Sequence, residues 1–552
     1  MSRKINNINR ILAKRIKNGF YIFLIIFLAL IIRLSYLSIY KYESYSSKIE
    51  TQSTQKVNLN SGRGIIYDRN NNPLTDTNRT QVIIMPKSVI TDNYKNINTI
   101  KTVTGLDEND IFKAVQDQID SELIDIEVGK LSTSQINKLE KINIIVEQKT
   151  NRYKDDNLLS HTIGYINKTD RNGVSGIEKN MNSELKNSNE KYISVFKAGD
   201  LGKKSGLKII EGSISKVTNN NKNLKLTIDS NIQSKVEKIV DKEENPTAVV
   251  ISDVKTGEIL AMSSRPNFNQ NKIEDSIDKT DGQLQNRVIS ATYPPGSVFK
   301  MVVLFAALEN KVITNSTYYY NCTGSEQINS KEKLNCNNLS GHGIQTLAEV
   351  FANSCNTAFY DIAKKVGKYE IYKAIEKLHL NEKIDIGLDE EVEPNIPDNI
   401  SLSNLSIGQG SLGFTPLQIN QMTQIIANNG LYKPLYIYDS IVDDSMNEIK
   451  KLSTSKKEEL ISPYTSTQIK QFMIGVSQTG TAKSLSDLKG GCGVKTGTAQ
   501  SSVNHTKVSH GWITGFYPKD NPKYAITVLV EGTEKNSKSA IPIFKDICNS
   551  IK

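Results

Sequence analysis

Three short phrases in the 552-residue chain carry the ingredients of nucleophilic catalysis, in a fixed order: SVFK at 297–300, SCN at 354–356 and KTGT at 495–498. A serine hydroxyl attacks a carbonyl only when a neighbouring base takes its proton, and a neutral lysine amine can be that base. Ser297 and Lys300 are three residues apart, Ser354 and Asn356 add a second hydroxyl and an amide, and Lys495 adds a cation beside Thr496, Gly497 and Thr498. None of these strings is distinctive alone. SVFK recurs at 194–197, KTG recurs at 255–257, and several other serines precede a lysine by three.

The elements that must position the residues separate the copies. The first SVFK lies in EKYISVFKAGDLG, an alternating segment running into a glycine turn. On a strand, residues three apart point to opposite faces, so Ser194 and Lys197 cannot meet. The second lies in YPPGSVFKMVVLFAALEN, where Pro and Gly precede an unbroken helical run that is apolar on all sides. There the two residues share a face, the helix is expected to be buried, and burial favours the neutral amine. SCN falls at an expected break between two helices, and VKTGTAQ reads as a strand. The first KTG is explained by a turn between two alternating strands within 246–264, a hairpin signal.

With that order established, the chain resembles the penicillin-binding proteins and serine β-lactamases, whose SxxK, SxN and KTG motifs follow one another in this way. GRGIIYDRNNNPL, GVSGIEKNMN, TGEILAMSSRPNFNQN, GQGSLGFTPLQI and HGWITGFYP make it most similar to a class B penicillin-binding protein, over about residues 55–550. The resemblance implies an α/β transpeptidase domain, a central antiparallel sheet with helices on both faces, standing on an extended α+β pedestal. It implies that Ser297 attacks a D-alanyl-D-alanine carbonyl of a peptidoglycan stem peptide while Lys300 takes its proton. Ser354 relays a proton to the leaving group, Asn356 orients Lys300 and the substrate amide, and Lys495 supplies positive potential. Thr496, Gly497 and Thr498 bind the substrate, including its carboxylate, and the amides of Ser297 and Thr498 form an oxyanion hole contributing about 3 kcal/mol per donor. β-Lactams would acylate the same serine. A hydrolase using that serine, or an idle β-lactam-binding scaffold, is the alternative. No cofactor is required by the resemblance.

Two phrases imitate nucleotide sites. GQGSLG at 408–413 fits GxGxxG but has no βαβ unit around it, and GGCGVKT carries Val494 where a phosphate loop needs glycine.

Five cysteines do not space out as a disulfide framework. Cys322 and Cys336 bracket a short hairpin and His342 follows. They are either reduced or disulfide-linked surface cysteines, or a zinc site of Cys322, Cys336 and His342 with Cys355 or Cys492 as fourth ligand.

The formal charge of +10 is front-loaded, with six basic residues from Arg3 to Lys17 before the first acid at Glu43. They precede FYIFLIIFLALII, long enough with its flanks to span a bilayer with the N-terminus inside. The expected layout is a cytoplasmic tail over 1–19, an anchor over 20–40, an extracytoplasmic pedestal or dimerisation domain over 41–239 and a transpeptidase domain over 240–552. Nucleic acid is not an expected partner. Without a glycosyltransferase segment, glycan strands are expected from a SEDS-type polymerase in a wall-synthesis complex.

Overall fold

The structure, a computed structural model, describes residues 2–36, 54–91, 93–119, 121, 123–186, 191–196, 213–216, 222–503 and 506–551. The chain forms two compact units interleaved in sequence. The smaller comprises 1–59, 80–149 and 191–217, the larger 60–79, 150–190 and 218–552.

The smaller unit begins with helix α1 (Ser2–Ser35), whose segment Lys14–Ser35 is long and apolar enough to cross a membrane and has exposed side chains. Residues 37–40 of the expected anchor lie outside the described residues. Two three-stranded sheets follow. One joins Thr54–Asn58, Lys191–Phe196 and Ser213–Lys216, the other Leu123–Val128, Asn78–Pro86 and Ile145–Asn151. Helices Tyr94–Thr104 and Thr133–Glu140 contribute Ile97, Ile100 and Leu139 to a core with Ile83, Met85 and Ile126. Ser194 is on a strand as its alternation predicts, opposite Lys56 and Ser213. Lys197 lies outside the described residues.

In the larger unit, five strands form one antiparallel sheet: β1 (Thr247–Asp253), β2 (Ile259–Ser264), β3 (Gly493–Val503), β4 (Thr506–Tyr517) and β5 (Tyr524–Val530), in spatial order β2-β1-β5-β4-β3. The last strand in sequence is therefore the central one. Helices cover both faces. Thr514 of β4 bonds Thr423 of helix Pro416–Ala427, whereas Gly511, three residues earlier and hence on the opposite face, abuts the start of helix Ser537–Ser550. This double cover corrects the alternation expected for β1 and β2. Every residue of β2 is buried, as is all of β1 except Asp253, because neither face of the sheet meets water.

Two of the sequence phrases meet in a buried ion cluster. Arg63 of GRGIIYDRNNNPL donates from Nε to Glu178 of GVSGIEKNMN at 2.8 Å, and Arg152 donates to the other Glu178 oxygen at 2.7 Å. Arg152 also pairs with Asp76, and Tyr153 Oη reaches Glu178 at 3.3 Å. Four charges out of water persist only when paired this thoroughly. They fasten 60–79 and 150–190 together within the larger unit.

Candidate active site

The PPG preceding Ser297 turns the chain into a short 3-10 turn (Gly296–Phe299), and helix α2 (Lys300–Glu309) continues it. Lys300 to Ala307 are all buried, as the apolar run predicts. Lys300 therefore sits fully inside the protein, one turn past the half-buried Ser297. Helix α3 (Leu347–Ala352) stops at a tight turn and α4 (Asn356–Val366) restarts the chain, and in that turn Ser354 holds φ at +55°. A non-glycine residue in the left-handed region is held there by its surroundings, and such positions cluster at working sites. Its surroundings are two lysines.

Lys300 Nζ donates to Ser354 O at 2.7 Å and to Asn356 Oδ1 at 2.7 Å, and lies 3.2 Å from Ser354 Oγ. Lys495 Nζ reaches the same Oγ at 2.9 Å and its neighbour's carbonyl, Thr496 O, at 3.0 Å. Phe359 lies beneath Lys300 at 5.2 Å and Phe351 beneath Lys495 at 5.6 Å. Burial lowers Lys300 from its ordinary 10.5 to about 7, and burial reinforced by Lys300 holds Lys495 well below its usual range. A neutral Lys300 has two N–H groups, used on Ser354 O and Asn356 Oδ1, which leaves its lone pair to take a hydroxyl proton. The Ser297 hydroxyl makes no hydrogen bond to Lys300 or to any other described residue, so the pairing expected from the SVFK spacing is one of position and not of a hydrogen bond, with Lys300 bonded to Ser354 and Asn356 instead.

β3 closes the other side. Gly497 and Gly296 let strand and turn touch: a Cβ on Gly296, whose φ is +54°, would stand 2.5 Å from Thr498 O, and one on Gly497 would stand 2.9 Å from Pro295 O. Between these walls lies a cavity of about 190 Å³ lined by Ser297, Ser354, Asn356, Thr496, Gly497 and Thr498. Every catalytic or substrate-binding residue expected from the sequence except the two lysines thus faces one space, and the lysines lie buried behind Ser354.

Five further residues line it: Asn337, Ile407, Gln409, Thr481 and Ser537. Thr481 Oγ1 holds Thr496 Oγ1 at 2.6 Å, Ser537 N donates to Thr498 Oγ1 at 3.4 Å, and Gln409 Nε2 donates to Thr498 O at 3.1 Å. Only Gln409 had a sequence signal. GQGSLG, discounted as a nucleotide loop, is a wall of this cleft, with Gly408 O accepting Gly296 N at 2.8 Å.

Behind SCN, Cys322, Cys336, His342 and Cys355 place one donor atom each within 4.8 Å of one another. Cys336 Sγ is 3.7 Å from Cys355 Sγ and 3.6 Å from His342 Nδ1. Tetrahedral zinc with bonds near 2.3 Å spaces its sulfurs about 3.8 Å apart, so the set fits that ion. The neighbouring Cys355 S–H lowers the Cys336 thiol, while Cys355 itself is pushed up. The three cysteines are buried, which corrects the surface-hairpin reading: the turn between Ser325–Gln327 and Lys333–Asn335 is exposed, but its ends dive inward. Cys355 joins the cluster and Cys492 does not. Cys492 sits before β3, where Ser477 Oγ donates to its carbonyl at 2.6 Å.

Comparison with known proteins identifies the family. Residues 247–549 match the penicillin binding protein transpeptidase domain and residues 58–226 the penicillin-binding protein dimerisation domain. Stage V sporulation protein D of Bacillus subtilis is 28% identical over 92% of this chain and 80% of its own length. Peptidoglycan D,D-transpeptidase MrdA of Acinetobacter baumannii is 25% identical over 96% and 86%. Penicillin binding protein 3 of Mycobacterium tuberculosis, solved with aztreonam, shares the fold with a TM-score of 0.63 at 22% identity, covering 90% of this chain and 96% of that one. With three motifs gathered around one cleft at the edge of a sheet that lies within the matched residues 247–549, the chain belongs to the penicillin-binding protein transpeptidases.

Proposed function

We propose that the protein is a serine D,D-transpeptidase that cross-links peptidoglycan stem peptides and is acylated by β-lactams. The observation that carries this is the two-lysine arrangement: two buried amines, both biased toward neutrality, share Ser354 Oγ at the cavity that Ser297 also lines. In the forward step Lys300 removes the Ser297 proton as Oγ attacks the carbonyl of the penultimate D-alanine. The proton passes through Ser354 to the departing amine, and terminal D-alanine leaves. Ser297 N and Thr498 N, on a turn and a strand in contact, stabilise the oxyanion. Asn356 fixes Lys300, and Thr496 and Thr498 take the substrate carboxylate near Lys495. The acceptor amine of a second stem then displaces Ser297. In support, MrdA of A. baumannii bears this activity in its name, and penicillin binding protein 3 of M. tuberculosis was solved with a β-lactam.

A fluorescent penicillin tests the assignment. Ser297→Ala abolishes covalent labelling while Ser194→Ala retains it; equal labelling of Ser297→Ala would refute the role of Ser297. The rival hydrolase is distinguished by the lifetime of the acyl-enzyme, which persists in a transpeptidase and turns over rapidly in a β-lactamase.

Around this core, the apolar part of α1 is a membrane anchor with its basic end cytoplasmic, and the catalytic unit is extracytoplasmic. Residues 41–239 serve as pedestal and 240–552 as transpeptidase domain, with a SEDS-type polymerase supplying glycan. Cys322, Cys336, His342 and Cys355 hold a structural zinc, a closed four-ligand set that clamps the segment around residues 322–342 to the SCN turn. Elemental analysis is expected to find about one zinc per chain, lost in Cys322→Ser; a metal-free native protein would dispose of it.

A further inference from the structure

β3 is the outermost strand of its sheet, so the backbone groups on its free side are open to a partner. Two of these, Thr498 C=O and Gln500 N–H, flank Ala499 and leave the strand on the cleft side. Both are bonded to one side chain: Gln409 Nε2 donates to Thr498 O at 3.1 Å, and Gln409 Oε1 accepts from Gln500 N at 3.5 Å. A carboxamide that donates to residue n and accepts from residue n+2 fills the two hydrogen-bonding positions that a backbone N–H and a backbone C=O on the facing edge of an added strand would take. Gln409 is half-buried on the GQGSLG loop, which is itself tied to the nucleophile's turn through Gly408 O and Gly296 N. The second bond is long and the side chain single, so the arrangement is weak enough to be exchanged.

We infer that Gln409 is a latch imitating substrate: at rest its side-chain amide caps the open edge of β3, and an extended peptide must displace it to lie there. The reading rests on the transpeptidase assignment and deepens it. It makes Gln409 a specificity-determining residue, because a ligand that supplies both a donor for Thr498 O and an acceptor for Gln500 N recovers what the latch gives up. A ligand lacking either leaves a strand group unpaired. An extended peptide backbone meets that demand.

The test is acylation kinetics of the intact protein with a fluorescent penicillin, comparing wild type with Gln409→Ala and the size-matched Gln409→Met. Loss of the two competing hydrogen bonds that Gln409 makes raises the second-order acylation rate constant by about three- to tenfold in both, with an unchanged melting temperature. A purely structural role predicts a fall instead. Unchanged or slower acylation in both variants, with wild type labelling normally, overturns the latch and leaves the enzymatic reading intact. Failure of wild type to label, or labelling of Ser297→Ala, overturns the enzymatic reading and the latch with it. A structure of the penicillin-acylated wild type gives an answer independent of the variants: Gln409 Nε2 should have left Thr498 O, and its persistence there refutes the proposal.

Discussion

The chemistry turns on keeping an amine uncharged in a protein of formal charge +10. Burial does this for Lys300, and the consequence has a definite sign. With a folded-state value of about 7 against 10.5 in the open chain, the base form accumulates as pH rises through 7. Acylation by penicillin should rise about tenfold per unit below pH 7 and level off above about 8, a limb that Lys300→Met abolishes together with activity. The same shift has a thermodynamic face. Between 7 and 10.5 the unfolded chain binds a proton that the folded one does not, so this lysine's penalty to stability shrinks as pH rises across that window. The roles of Ser297 and Lys300 could be argued from spacing because helix periodicity is local. That Ser354 would bridge two lysines could not, since it depends on a left-handed turn and on a strand 141 residues further along.

At the level of elements, helix and strand assignments around all three motifs were legible because each has a local cause: a Pro-Pro-Gly entry, an apolar run, a break between helices, an alternating strand. What escaped were contacts made by loops. Gln409 and Thr481 have no periodicity to announce them, and the cysteine cluster needed three separated segments to be folded before Cys355 could be preferred to Cys492. The phrases containing Arg63 and Glu178 were noticed as phrases, without their partnership. That partnership makes a prediction. Glu178→Gln leaves Arg63 and Arg152 buried with half their compensation, a loss of about 3–5 kcal/mol for such a site. Thermal unfolding of the purified protein should show a lowered midpoint, whereas Glu274→Gln, which removes an exposed pair with Lys168, should leave it nearly unmoved.

For the whole molecule, the plan of tail, anchor, pedestal and catalytic domain is linear, whereas the two compact units are interleaved in sequence. Segments 60–79 and 150–190 are folded into the larger unit while 80–149 belongs to the smaller. No composition change marks those crossings, because they are fixed by charge pairs and strand pairings between distant residues. The sheet shows the same thing more sharply. β5 lies between β1 and β4, so a chain ending at Tyr517 would have β1–β2 and β3–β4 as separate hairpins with no strand to join them. Such a truncation should bind no fluorescent penicillin even though every motif residue is present. Without this central strand the catalytic sheet stays in two halves, so a product cut off before residue 524 carries Ser297, Lys300 and Lys495 but no shared cleft. Possession of the three motifs is therefore no guarantee of reactivity, because the fold withholds the cleft until its middle strand is in place.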